Sequence, residues 1–120
     1  MLNTRLPAIL VPKNEEGLKK ICEGYRGDDE SYFTFSFSRV DLENIFITDF
    51  FTLINAEFSL EIDEYEEVII LDSNLIKSIW NYLLLVSKDD DDSVFLFYLE
   101  KIILCFKKAL EFNSGIAFFF

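Results

Sequence analysis

The chain of 120 residues has no histidine, two cysteines, four glycines, two prolines and one methionine. Each scarcity removes a class of chemistry. Without His, the commonest general base and metal ligand is missing, and with it the His-dependent Ser and Cys nucleophile arrangements. Cys22 and Cys105 lie far apart, each inside an apolar helical pattern. That is not the spacing of a metal or redox pair, and it predicts two free, buried thiols in a reducing cytoplasm. The glycines at 17, 24, 27 and 115 match neither phosphate-loop pattern. No apolar run reaches the roughly 20 residues that span a bilayer, because Asp49, Lys77, Asp89–Asp92, Glu100 and Lys101 interrupt them. Met1 to Pro12 offers no small-residue cleavage site after a proper apolar region, so it is not read as a signal peptide. Internal repeats and linkers are absent too.

Basic residues are also scarce where acidic ones are dense. Residues 28–72 hold 13 Asp and Glu against Arg39 alone, a net of −12. Residues 1–27 carry three acids and five bases (+2), and 73–120 carry six acids and five bases (−1), which gives the overall −11. A single-sign field of this kind repels nucleic acid and anionic lipid and speeds encounter with something basic. The apolar fraction is 51%, too high for a disordered acidic tail. The length suits one domain, 1–120, with a core that needs neither disulfide nor metal. Fourteen Phe reflect either the composition of a low-GC genome, since Ile, Asn, Lys and Tyr are plentiful too, or an aromatic interface patch.

Local patterns place the elements. Asn14-Glu15-Glu16 caps a helix near 14–24, in which Gly17 is a weak point. Tyr32 to Ser38 alternates, with Phe33, Phe35 and Phe37 on one face, and predicts a strand over 32–38. Ser38-Arg39-Val40-Asp41 resembles a capping box for a helix over 41–55, where Asp49 is either an edge residue or a buried, partnered carboxylate. Period two returns at 57–63, where Phe58, Leu60 and Ile62 turn inward and Glu57, Glu61 and Asp63 share the other face of a predicted strand. Glu64 to Glu67 reads as a turn. The run Val68–Leu71 within 67–72 fits a more central strand. Helices follow at 74–87 and 93–112, joined by the Asp run as an antiparallel hairpin. The second is apolar over most of its circumference, so it is central to the core or covered by a partner. Ile116 to Phe120 reads as a final edge strand.

The Asp run fails as a calcium loop. Counting from Asp89 places Asp91, Ser93 and Glu100 at positions three, five and twelve, but Val94 stands where the sharp turn needs Gly. Acidic residues are so abundant that no carboxylate pair singles itself out for hydrolysis. No cofactor, no metal and no enzymatic turnover are expected.

The expected fold is therefore α+β: a small, mainly antiparallel sheet packed against about four helices, ending in a helical hairpin. A small, acidic, cofactor-free α+β domain resembles the immunity proteins that neutralise bacterial toxins, including contact-dependent growth inhibition and other polymorphic toxins. The resemblance covers size, charge and architecture and rests on no diagnostic motif. It implies a cytoplasmic inhibitor, monomeric in a 1:1 complex, that blocks a cognate and basic toxin domain, often a nuclease, without binding nucleic acid or membrane. Two alternatives share the composition. One is an acidic nucleic-acid mimic; the other is a secretion chaperone, which needs a dimer and an exposed apolar groove. The expected binding residues are Asp28, Asp29, Glu30, Glu57, Glu61, Asp63, Glu64, Glu66 and Glu67.

Overall fold

Two stretches of the chain are apolar at nearly every position, and they form the two central strands of the sheet. In the computed structural model, which describes residues 6–24, 30–87 and 93–120, these are β1 (Ala8–Pro12) and β4 (Ile116–Phe119), buried at every position. A strand covered on both faces has no polar alternation to display. β2 (Tyr32–Ser36) flanks β1 and β3 (Glu67–Ile70) flanks β4, giving the antiparallel order β2-β1-β4-β3. The register runs Ser36–Ala8–Phe119–Glu67 in one row and Thr34–Leu10–Ala117–Ile69 in the next.

The interleaved rows, Phe35–Ile9–Phe118–Val68 and Phe33–Val11–Ile116–Ile70, point to the other face. There they meet α2 (Arg39–Ile47), α3 (Phe50–Phe58), α4 (Ser73–Ser87) and α5 (Ser93–Glu111) in the main core. Leu42, Ile45, Phe51, Ile54, Ile76, Ile79, Leu83, Leu99, Ile102 and Phe106 fill that core. α4 and α5 pack along each other, and the short connection between them makes the pair antiparallel. The apolar circumference of α5 is thus spent on the sheet and on α4, with Phe97 left exposed beneath Lys101. α1 (Glu15–Cys22) lies alone on the opposite face, closing a small cluster of Ala8, Leu10, Ile21, Tyr32, Ala117 and Phe119.

The α+β class, the antiparallel sheet and the helices agree with the sequence, but five assignments change. Residues 57–63 do not form a strand: α3 runs on to Phe58, and 59–63 are irregular. Helical spacing of Phe50, Phe51, Ile54 and Phe58 outweighs the period-two reading, because all four pack on the core. The expected helix over 41–55 is two helices. Thr48 is extended, its hydroxyl donating to the Ile45 carbonyl and accepting from the Phe50 amide, so the chain breaks before Asp49. Asp49 is exposed at the start of α3. β3, expected to be central, is an edge; β4, expected at the edge, is central. β1 was not foreseen as a strand at all. The Asp89–Asp92 turn lies outside the described residues.

Local caps follow the sequence. The Asn14 side chain accepts from the Gly17 amide at 2.8 Å, the Ser38 hydroxyl accepts from Asp41 at 3.1 Å, and the Asp72 carboxylate accepts from Asn74 at 2.9 Å. Gly17 has a further role. A Cβ there would lie 1.9 Å from the Ser31 carbonyl oxygen, which already accepts from the Lys13 amide. Glycine therefore lets α1 rest directly on the turn before β2. On an open helix surface Gly→Ala stabilises by up to about 1 kcal/mol. Here the sign reverses: Gly17→Ala is expected to destabilise by roughly 1–3 kcal/mol, as overpacking does. A urea midpoint that rises in Gly17→Ala would refute this placement of α1.

Candidate functional site

The dense acids of the middle segment gather where α3 gives way to β3. Ser59 takes a left-handed conformation (φ 55°) to end α3, and the Leu60 amide donates to the Asn55 carbonyl at 3.0 Å. Asn55 then clamps the following loop. Its side-chain amide donates to the Ile62 carbonyl at 2.8 Å, and its side-chain oxygen accepts from the Ile62 amide at 3.0 Å. That pair does for Ile62 what a neighbouring strand would do, so the loop buries Ile62 without entering the sheet. A turn follows: the Asp63 carboxylate accepts from the Glu64 amide at 2.8 Å, and Tyr65 is left-handed at φ 63°. The chain enters β3 at Glu67.

Glu57, Glu61, Asp63, Glu66 and Glu67 are exposed, and Glu64 is half-buried. They do not share a strand face. Glu57 sits on the last turn of α3 and Glu67 on the open face of the sheet, so the alternation that would have aligned Glu57, Glu61 and Asp63 does not exist. What unites them is succession along the chain, from the end of α3 through the loop to β3, which forms the acidic rim. Glu61 and Asp63 line a hollow of about 220 Å³ with Phe46, Phe51, Thr52 and Asn55. Glu66 and Glu67 line a larger groove of about 460 Å³, floored by Ala8, Leu10 and Phe119 and walled by Thr34, Ser36, Arg39 and Tyr65. Glu30 lies elsewhere, in the turn before β2, on the far side of the sheet by three strand spacings, about 14 Å. Asp28 and Asp29 lie outside the described residues.

Arg39 is the one base of this segment, and it is occupied. Its Nη1 donates to the Phe120 carbonyl at 2.8 Å, and its guanidinium lies 4.6 Å from the centre of the Tyr65 ring. Two ion pairs of the described residues, Glu16–Lys20 and Lys108–Glu111, lie elsewhere. Glu57, Glu61, Asp63, Glu64 and Glu66 are therefore not neutralised by any base among the described residues. The groove and Arg39 were not legible in the sequence, because both arise from strands brought together from opposite ends of the chain.

Among the described residues no three of Cys, Asp and Glu converge as metal ligands would, and no helix is long and apolar enough to cross a membrane. Both thiols are free, but only Cys105 is buried; Cys22, expected inside, is exposed at the end of α1, because that short helix turns Gly17 and Ile21, and not its last residue, onto the sheet. Burial pushes the Cys105 thiol up to about 12, against a smaller opposing pull from Lys101. A raised thiol favours the protonated folded state, so its contribution to stability is full below its ordinary value of 9.0 and is lost as pH rises through about 12. At pH 8 a maleimide should label Cys22 within minutes and Cys105 only after denaturation. Native labelling of Cys105, read by mass spectrometry, would contradict this burial. Comparison of the chain with protein-family models, with curated proteins and with solved structures finds no match.

Proposed function

We propose that the chain binds a basic protein partner through the acidic rim formed by Glu57, Glu61, Asp63, Glu64, Glu66 and Glu67. The observation that carries this reading is the succession of exposed carboxylates Glu57, Glu61, Asp63 and Glu66, none paired with a base among the described residues, beside an apolar groove. Negative charge kept only for solubility needs no such gathering. The chemistry suits a cytoplasmic immunity protein: a nuclease toxin must present a positive cleft to hold phosphates, and carboxylates can occupy it in their place. The Phe surplus fits this reading better than it fits a secretion chaperone. Among the described residues Phe97 is the one phenylalanine in the exposed large apolar set, while Phe37, Phe51, Phe106 and Phe118 are fully buried.

The test is charge reversal against the polypeptide encoded directly upstream of this chain. Electrostatic steering acts over about 8 Å at physiological salt, so association should slow as salt rises. The double variant Glu61→Lys/Asp63→Lys should lose at least about tenfold in association rate. Asp90→Lys/Asp91→Lys, with the same change in net charge, should lose much less. Equal losses in stopped-flow mixing would reduce the effect to bulk charge and remove the rim from the proposal.

A further inference from the structure

The acidic rim leads into β3, whose outer side pairs with no strand among the described residues, and the hydrogen-bond parity of the sheet says which groups that side presents. The Lys13 amide donates to Ser31 and the Phe37 amide to Pro7, so β1 bonds to β2 through its odd-numbered residues. Even-numbered residues of β1 then face β4, pairing Ala8 with Phe119 and Leu10 with Ala117. This leaves Ile116, Phe118 and Phe120 to bond β3, and the Phe120 amide indeed donates to the Glu66 carbonyl at 3.2 Å. Val68 and Ile70 are therefore consumed by the ladder. By the same parity the amide and carbonyl of Ile69, and those of Leu71 one residue beyond the strand, point away from β4.

We infer that this edge accepts an extended, basic segment of the partner as a fifth strand, a mode that rests on the acidic-rim reading and specifies it further. Main-chain pairing would supply affinity, and alternate side chains specificity. On the open face the added strand would set apolar side chains against Ile69, 39% exposed, and Leu71, 57% exposed, with Tyr65, 75% exposed, at the entrance. Basic side chains would lie against Glu66 and Glu67, which line the groove. Charge chooses the occupant. A second copy would bring another chain of net charge −11 and the same glutamates to the junction, which disfavours self-pairing. The opposite edge lacks this character: on the open face β2 presents Thr34 and Ser36, and no large exposed apolar residue lies in that strand.

The probe is a synthetic ten-residue peptide alternating Lys with Val or Ile, mixed with the intact chain and read by fluorescence anisotropy and amide exchange. Binding should slow exchange of the Ile69 amide at least about tenfold. N-methylation of one alternate set of peptide amides should weaken binding at least about tenfold, and methylation of the other set much less. Ile69→Pro removes an outward amide without touching the ladder to β4, and should weaken binding to the same degree with an unchanged circular dichroism spectrum. Because the N-methyl series uses the unaltered chain, the proposal stays testable if that variant fails to fold. Equal binding of both methylated peptides, unchanged Ile69 exchange, or no binding at all would overturn strand addition. Strand pairing that ignores both salt and Glu66→Lys/Glu67→Lys would instead overturn the acidic-rim reading and the basic occupant with it.

Discussion

The pairing of residues 116–120 between β1 and β3 is the constraint on which the rest of this structure depends. Among the described residues β3 pairs with β4 alone, so that ladder anchors the end of the acidic rim that enters the sheet, while the Asn55 clamp holds the loop before it. Phe118 and Phe120 then turn the ladder into a core. The Phe120 ring lies 5.5–5.9 Å from those of Phe37, Phe46, Phe51 and Phe118, tying β2, α2 and α3 to one aromatic cluster. Edge-on contacts of this kind add about 0.5–1.5 kcal/mol each beyond the area they bury. Arg39 secures the same residue through its carbonyl while lying over Tyr65 on the rim. Core and rim are therefore coupled through one short strand. That strand pairs Phe119 with Ala8, a contact of very long sequence separation, the kind that forms slowly in folding.

The two sheet faces divide the labour. One carries the helical layer and nearly all of the large buried side chains. The other is covered by α1 only near Leu10 and Tyr32, which leaves a groove beside β3. A single short helix cannot cover a four-stranded sheet, so the remainder of that face must be polar, grooved or partnered. Here Thr34 and Ser36 make one side polar, and Glu66 and Glu67 make the other acidic. The charge asymmetry seen along the chain thus becomes a spatial asymmetry, though by a different route from strand alternation. The acids are strung along a helix end, a clamped loop and an edge strand.

What the sequence determined by itself was local. The Asn14, Ser38 and Asp72 caps, the alternation of Phe33, Phe35 and Phe37, the stripe of Ile76, Ile79 and Leu83, and the α+β class follow from spacing and cap chemistry within a few residues. The density of acids in residues 28–72 is likewise a property of composition. Only the tertiary structure decided which strands are central, that Glu57 belongs to a helix, and that Glu61 and Asp63 line one hollow while Glu66 and Glu67 line another. The physical reason is the same in each case. Phe58 fits both the period-two run with Leu60 and Ile62 and the helical spacing of Phe50, Phe51 and Ile54, and packing of the latter set on the core extended the helix through it. Ile9 to Val11 and Ile116 to Phe119 carry no alternation because both of their faces are buried, so their pairing rests on partners about a hundred residues away. Local pattern sets the elements; non-local burial sets their order, and the candidate site is made of that order.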